Sequence, residues 1–265
     1  MWTLFKSILF YITLSFFYYG CGPELDNIYD TGDIIPELTL DADINGTTLI
    51  SNAVELSWSG NEFAFEFAWK LTPRDTAWSA WTSDTLLTYS YLDEGSYLLE
   101  IKSRYDTETE QFAADSIAFD VDALEGPGLR IYPLYTEVSL DSIFTIELYS
   151  EEVEELIGAE IIFEYDASML TYISTDTGTL LANIDGQSIL IKNHNEDEGQ
   201  LILTLATALD EDEGLTGSGS LAIFTFEANK SGETEIDFQN ATEFRDKDND
   251  EIDINSLTKG VILIQ

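Results

Sequence analysis

Cysteine, histidine and basic residues are scarce in this 265-residue sequence, and each scarcity excludes a class of protein. There is one Cys, Cys21, and one His, His194. A single Cys cannot form an intramolecular disulfide, so the fold must rest on the packing of its core. A transition-metal site needs clustered His or Cys ligands, which this composition does not supply.

The shortage of positive charge limits the partners. The chain has 11 Lys and Arg against 51 Asp and Glu, which gives a formal net charge of -40. Nucleic acid is excluded as a partner because like charges repel and no basic patch is visible. Direct adsorption to an anionic bilayer is excluded for the same reason. The acidity fits solubility or salty surroundings, and it also fits divalent cations bound at particular loops.

Features that support catalysis are sparse as well. The sequence has no Gly-rich phosphate loop, and His194 lies in a polar stretch with no Cys apart from the N-terminal Cys21 to form a thiol dyad. Pairs of carboxylates occur throughout so acidic a chain, so they do not identify a glycoside hydrolase site. We therefore predict a non-catalytic protein that requires no cofactor.

The N-terminus indicates export. Residues 1–20 contain one Lys, no acidic residue and an apolar run over 8–19, which is the pattern of a signal peptide. The run ends at Gly20 and Cys21, and a small residue before a lone Cys resembles the lipobox of bacterial lipoproteins. The resemblance implies that Cys21 is lipidated, that residues 21–36 form a tether, and that the lipid anchor is the only membrane contact. The expected location is the outer membrane or cell surface of a bacterium. Simple secretion, an uncleaved anchor and a free buried Cys are the alternatives.

Residues 37–124 read as a β-sandwich. Short runs of apolar and aromatic residues alternate with turn residues at regular spacing, and no helical period appears after the signal peptide. The predicted strands are Glu37 to Asp41, Ala53 to Trp58, Glu62 to Leu71, Ala77 to Thr82, Leu86 to Tyr91, Ser96 to Tyr105 and Ser116 to Val121.

One motif in this block indicates a particular kind of sandwich. Leu92, Gly95 and Tyr97 have the spacing of a tyrosine corner, in which the Tyr hydroxyl bonds back to the chain. With this corner, the stretch 65–97 resembles fibronectin type III, which implies an immunoglobulin or fibronectin III-like sandwich. Its tryptophans, Trp69, Trp78 and Trp81, suit either a sugar-stacking platform or ordinary core and sheet packing, and we favour packing.

Glu125-Gly126-Pro127-Gly128 predicts a domain boundary, because Pro between two Gly residues interrupts regular structure. Residues 127–265 then form a second all-β series, with several continuous apolar runs typical of buried strands. The predicted strands are Leu129 to Tyr132, Ile143 to Tyr149, Ala159 to Tyr165, Ser188 to Lys192, Gln200 to Thr207, Gly219 to Ala228, Glu235 to Phe238 and Gly260 to Ile264. We expect the acidic run Glu151 to Glu155 to be a loop.

The order of segments in this second block resembles the cohesin domain of bacterial cell-surface proteins. The segments that carry the likeness are Ser142 to Leu148, Ile157 to Asp166, Gly199 to Ala206, Gly217 to Phe226, Gly232 to Phe238 and Val261 to Ile264. The resemblance implies a jelly-roll sandwich that binds dockerin modules through one sheet face. It also implies that Glu160 occupies an acidic partner-binding position, and that Gly158 stands where the family often has Asn.

Two acidic segments are candidate cation sites. Asp246, Asp248 and Asp250 place carboxylates at alternate positions, as in calcium loops, but Glu251 and Leu257 stand where an EF-hand needs Gly and Glu. Calcium at this loop is therefore a looser possibility, and a solvated turn is the alternative. The run at 210–213 has the same two interpretations.

The sequence thus predicts an exported, lipid-anchored protein of two β-sandwiches whose function is binding. The favoured partner is a protein such as a dockerin-like module. Polysaccharide is the alternative partner, for a surface lipoprotein that works beside polysaccharide-degrading enzymes. A structural or adhesion protein of the cell envelope is the third interpretation.

Overall fold

The computed structural model describes residues 34–40, 43–111, 113–182, 187–208 and 214–265. The predicted signal peptide, Cys21, most of the tether and the acidic run at 210–213 lie outside these residues. Within them the structure is almost entirely β, with one short helix, α1 (Thr179–Ala182). None of the described helices is long and apolar enough to cross a membrane.

The first half of the described chain forms two facing sheets. Its strands are β1 (Leu38–Leu40), β2 (Thr48–Leu49), β3 (Val54–Gly60), β4 (Glu66–Thr72), β5 (Leu86–Tyr89), β6 (Gly95–Arg104) and β7 (Asp115–Val121). Strands β1, β3 and β5 form one sheet, and β2, β7, β6 and β4 form the other. Alternate residues of both sheets, including Trp58, Phe67 and Leu99, meet in one apolar core. This half is therefore a β-sandwich, as predicted.

The predicted tyrosine corner is confirmed. The Tyr97 hydroxyl donates a hydrogen bond to the Asp93 carbonyl oxygen at 2.8 Å, and burial raises the pKa of the phenol to about 12. The predicted strand from Ala77 to Thr82 is wrong. This segment runs beside β4 and bonds to it at Trp69 and Phe67 only, through Ser79 and Thr82, so it forms no continuous ladder.

The second half builds a larger sandwich around a single long strand. Its strands are β8 (Gly128–Tyr132), β9 (Tyr135–Val138), β10 (Ile143–Tyr165), β11 (Leu170–Thr177), β12 (Gln187–Asn195), β13 (Gln200–Ala208), β14 (Leu215–Ala228), β15 (Gly232–Phe238), β16 (Glu243–Asp246), β17 (Glu251–Ile252), β18 (Ser256–Thr258) and β19 (Gly260–Ile264). The sequence-based prediction missed β9, β11 and the three short strands β16, β17 and β18.

Strand β10 crosses from one layer of this sandwich to the other. Its first half pairs with β8 and β14, and its second half pairs with β13, β15 and β16. The crossing lies at Ser150 to Leu156, where the pairing with β14 shifts register twice. The prediction of a loop from Glu151 to Glu155 is therefore wrong. The acidic run is bulged strand, with positive φ angles of 45° at Glu152 and 53° at Glu155.

The core of the second sandwich lies between the two layers. Phe163 of the second half of β10 and Phe224 of β14 meet edge to face across it, with ring centroids 4.8 Å apart. Leu148, Leu203 and Ile262 are fully buried around them. This core and that of the first sandwich are separate clusters. A division of the chain into folding units at residues 124–127 stays a prediction.

A buried arginine joins the two sandwiches. Arg130 of β8 is 5% exposed. Its guanidinium lies 3.4 Å from the Glu94 carboxylate of the first sandwich and 3.4 Å from that of Glu151 in β10. It also stacks over the Tyr149 ring, with 4.4 Å between guanidinium carbon and ring centroid. Beside it, the Asp93 carboxylate accepts a hydrogen bond from the Leu134 N–H at 2.9 Å. We call this group, made of Asp93, Glu94, Arg130 and Glu151, the interdomain joint.

The joint predicts a pH dependence of stability. Burial raises the pKa of the Asp93 carboxyl, while the Leu134 N–H and nearby arginines oppose the rise. Between the ordinary and the raised pKa, the folded protein binds more protons than the unfolded chain, so stability falls as pH rises through that window. Asp93→Asn keeps an acceptor for Leu134 and removes the charge. We expect it to flatten this fall, as measured by urea unfolding from about pH 4 to about pH 7.

Asp253→Asn is the matched control, because Asp253 lies exposed in a loop and its substitution removes the same charge from a molecule of net charge -40. A stability profile of Asp93→Asn that coincides with that of Asp253→Asn would contradict the assignment to burial.

Candidate functional site

The outer face of one layer of the second sandwich gathers the residues predicted to bind a partner. In the second half of β10, odd-numbered residues such as Ile161 and Phe163 point into the core. Even-numbered residues therefore point outward, because side chains alternate along a strand. We call the outward surface the Glu160 face. Its residues are Gly158, Glu160, Ile162 and Glu164 of β10, Ile202, Thr204 and Ala206 of β13, Ile191 and Asn193 of β12, and Glu243 and Arg245 of β16.

Strand register places these residues in rows. Glu160 lies between Thr204 of β13 and Glu243 of β16, and Ile191 of β12 continues the row beyond Thr204. The next row sets Ile162 beside Ile202. Aliphatic, acidic and small polar side chains thus share this surface over four strands. Ile191 is 59% exposed, which is unusual for so large an apolar side chain.

The charges on this face are incompletely paired. The Arg245 guanidinium donates to the Glu243 carboxylate at 2.8 Å, so these two charges offset each other. The Gln200 amide donates to Glu164 at 3.3 Å. The Glu160 side chain is exposed, and its carboxylate has no hydrogen bond or ion pair with the residues that the structure describes. An unpaired carboxylate beside exposed aliphatic groups can accept hydrogen bonds from a partner that also buries the apolar surface.

Gly158 lies on the same face, two residues before Glu160. A Cβ atom there would meet the Leu205 carbonyl oxygen at 3.7 Å and the Arg245 Cβ at 3.8 Å, which are ordinary contacts. The backbone at Gly158 therefore does not require glycine. Glycine leaves this position of the face, between β13 and β16, without a side chain.

The candidate calcium loop forms a hairpin turn between β16 and β17. One carboxylate oxygen of Asp246 accepts hydrogen bonds from the backbone N–H groups of Asp248 and Asp250, at 2.9 and 2.8 Å. Across the described ranges, no group of three or more His, Cys, Asp or Glu side chains is arranged to hold a metal ion. Calcium at Asp246, Asp248 and Asp250 stays a prediction, which titration calorimetry with calcium checks.

The tryptophans of the first sandwich have cations on their rings. The Lys102 ammonium lies 5.0 Å from the ring centroids of both Trp78 and Trp81. The Arg104 guanidinium lies 4.4 Å from Trp81. Trp69 is partly buried and packs on Trp58, at 5.6 Å between centroids. The contacts of Trp78 and Trp81 agree with the packing interpretation of these two side chains.

His194 belongs to a small aromatic cluster. Its Nε2 lies 2.7 Å from the Tyr165 hydroxyl, and its ring is 4.6 Å from that of Tyr172. Tyr165 is in turn buried in the core of the second sandwich. The histidine thus packs β12 against Tyr172 of β11. No described carboxylate is hydrogen-bonded to it.

Comparison with known proteins agrees with this architecture. Residues 136–264 match the sequence profile of the family described as Cohesin domain. We call these matched residues the cohesin domain. They begin within β9 and contain the whole Glu160 face. The comparison with curated proteins found no match.

Solved cohesin structures also resemble the second sandwich. A non-cellulosomal cohesin from the archaeon Archaeoglobus fulgidus is 18% identical with a TM-score of 0.44, over 52% of this chain and 90% of that one. A type II cohesin from the cellulosome of Acetivibrio cellulolyticus is 18% identical with a TM-score of 0.45, over 51% and 94%. A chain from a type I cohesin–dockerin complex of Clostridium thermocellum is 16% identical with a TM-score of 0.43, over 52% and 98%.

Sequence reasoning identified Glu160 and Gly158 but missed their neighbours. Ile162 is a member that alternation along β10 could have identified, since it is two residues from Glu160. Arg245 and Glu243 join the face only through the pairing of β16 with β10. That strand is short and charged, so its sequence gives no clear strand signal.

Proposed function

We propose that this chain is a non-catalytic binding protein of the cell envelope that recognises a dockerin-type protein module through the Glu160 face. One observation carries the proposal. The matched cohesin domain contains the exposed Glu160 face, on which the Glu160 carboxylate has no ion pair with a described residue. A flat surface of aliphatic and acidic groups suits contact with a protein better than enclosure of a small molecule. The similar chain from Clostridium thermocellum was itself solved in a cohesin–dockerin complex.

The anchoring of the protein is part of this proposal. Cys21 follows the predicted signal peptide, and lipidation there would hold the sandwiches at the envelope through the tether of residues 21–36. Mass spectrometry of the membrane fraction tests this directly, through the acylated peptide that begins at Cys21. An unmodified Cys21 in the mature protein would contradict the anchor and would leave the binding proposal in place.

Charge reversal at Glu160 tests the face. We expect Glu160→Lys to weaken binding of the partner captured from the native organism by about tenfold or more, because a buried interfacial charge is hard to replace. Titration calorimetry with the chain from residue 22 to 265 measures the affinity. Since Glu160 is exposed and unpaired, the variant should unfold at the same urea concentration as the wild type.

Glu55→Lys supplies the matched control. Glu55 is an exposed strand residue of the first sandwich, so its reversal changes the net charge equally and leaves the Glu160 face intact. Equal affinities of the wild type and Glu160→Lys would exclude this face as the binding surface. Equal losses in both variants would indicate a general electrostatic effect.

A further inference from the structure

A cleft between the two sandwiches is lined by aromatic rings, an arginine and two carboxylates. It has a volume of about 540 Å³, within the range of small-molecule sites. The first sandwich contributes Trp69, Arg74, Asp75 and Tyr89, and the second contributes Tyr135 and Glu137. None of these residues belongs to the Glu160 face, so the cleft is a separate surface.

Arg74 is the central group of the cleft. Its guanidinium carbon lies 3.9 Å from the centroid of the Tyr135 ring, so the two side chains stack across the boundary between the sandwiches. The other three arginines, Arg104, Arg130 and Arg245, each have a glutamate partner. Arg74 has no ion pair with a described residue, in a chain that carries 51 acidic residues. Its donors are therefore available to a ligand.

The acceptors of the cleft are fixed in place by tyrosines. The Tyr89 hydroxyl donates to one oxygen of Asp75 at 2.5 Å, and the same oxygen accepts the Leu71 N–H at 2.8 Å. The Tyr135 hydroxyl donates to one oxygen of Glu137 at 3.0 Å. Each carboxylate keeps its second oxygen as an acceptor. The cleft thus combines a free cationic donor, two oriented acceptors and the rings of Trp69, Tyr89 and Tyr135.

The class of ligand follows from this combination. A simple anion would be attracted by Arg74 but repelled by Asp75, Glu137 and the molecular charge of -40. A cation would be attracted by Asp75 and Glu137 but would leave the Arg74 donors without an acceptor, and an apolar molecule would leave all three charged groups without hydrogen bonds. A neutral ligand with many hydroxyl groups satisfies donors and acceptors together, and its C–H surfaces pack on aromatic rings.

We propose that this interdomain cleft binds a neutral saccharide, held by Arg74, Asp75 and Glu137 against the rings of Trp69 and Tyr135. The site is independent of the protein-binding face. It lies where the sandwiches meet, so a saccharide in it contacts both of them.

The test uses the chain from residue 22 to 265 and four soluble probes: cellohexaose, xylohexaose, mannohexaose and the acidic hexagalacturonate. Tryptophan fluorescence follows binding, because Trp69 lines the cleft. We expect at least one neutral probe to bind with a Kd on the order of 1 mM or tighter. Arg74→Ala and Tyr135→Ala should each weaken that binding about tenfold or more, since each removes a contact from one side of the cleft.

Arg104→Ala is the control, because Arg104 lies on the outer face of the same sandwich and is paired with Glu66. It should leave the affinity within about twofold. Urea unfolding confirms that each variant is folded. Three results would overturn the proposal: no binding of any neutral probe, binding of hexagalacturonate alone, or affinities in Arg74→Ala and Tyr135→Ala equal to that of the wild type. Loss of partner binding in Glu160→Lys has no bearing on these outcomes.

Discussion

Arg130→Met should lower the free energy of unfolding by about 3–5 kcal/mol, because it leaves two largely buried carboxylates without their cation. The Arg130 side chain is 6% exposed, and those of Glu94 and Glu151 are 16% and 13% exposed. Burial already raises the pKa of Glu94, and Arg130 opposes that rise. Chemical denaturation followed by circular dichroism measures the loss. The loss should shrink in acid, where the Glu94 carboxylate takes up a proton.

A triple variant separates the effect of uncompensated charge from the effect of lost side-chain packing at Arg130. Adding Glu94→Gln and Glu151→Gln to Arg130→Met removes the uncompensated charges, and we expect most of the stability to return. Arg245→Met is the surface control, because the Arg245–Glu243 pair is solvent-exposed and its loss should cost less than about 1 kcal/mol. A similar cost for Arg130→Met and Arg245→Met would show that the joint contributes little.

Phe163→Ala should destabilise the cohesin domain by about 3–5 kcal/mol. Phe163 is fully buried, and its ring meets those of Phe224 at 4.8 Å and Phe238 at 6.5 Å. Truncation leaves a cavity between the layers and removes both edge-to-face contacts. Ile143→Ala on the same strand is the control, because Ile143 is 66% exposed, and its effect should stay within about 0.5 kcal/mol.

Two optical probes also show whether the sandwiches unfold separately. All four described tryptophans, Trp58, Trp69, Trp78 and Trp81, lie in the first sandwich, whereas circular dichroism reports on both. We expect Phe163→Ala to shift the circular dichroism transition more than the tryptophan transition. Shifts of equal size would show that the interdomain joint makes the two sandwiches one cooperative unit.

Most strands could be predicted from sequence because their burial alternates. In β6, Tyr97, Leu99 and Ile101 are buried while Ser96 and Leu98 are exposed, and this period of two is visible in the letters. The tyrosine corner was predictable for a similar reason, since its spacing is local. A turn at Asp246 to Asp250 was one of the two interpretations of that acidic segment, and the structure shows a turn there.

The errors arose where long-range pairing overrides local signals. Four glutamates between Ser150 and Leu156 resemble a loop, but Val153 is fully buried. The bulged strand leaves three of them exposed and sets Glu151 against Arg130. Ala77 to Thr82 has aromatic residues typical of a strand, but no strand pairs with it continuously. Short strands such as β16 carry too few residues to show a period.

The candidate sites also differ in whether a local sequence pattern or a long-range contact brings their residues together. Glu160 and Gly158 share a face because they are two residues apart on one strand, which sequence alone reveals. Arg74 and Tyr135 are 61 positions apart in number, and Glu94 meets Arg130 only through the contact between the sandwiches. A prediction of those contacts requires the relative placement of the two domains, and no local pattern encodes it.

The continuity of β10 has a consequence for how the cohesin domain folds. This strand supplies the centre of both layers. Each layer can therefore complete its hydrogen-bonded ladder only when β10 is in place in the other layer too. The pairings of β10 with β14 and β13 also close long chain segments, and such non-local contacts slow folding. The domain therefore has no half that could form first as a stable intermediate. A nick by protease between residues 149 and 156 should abolish both layers at once, whereas a nick in the turn at 247–249 should leave them assembled.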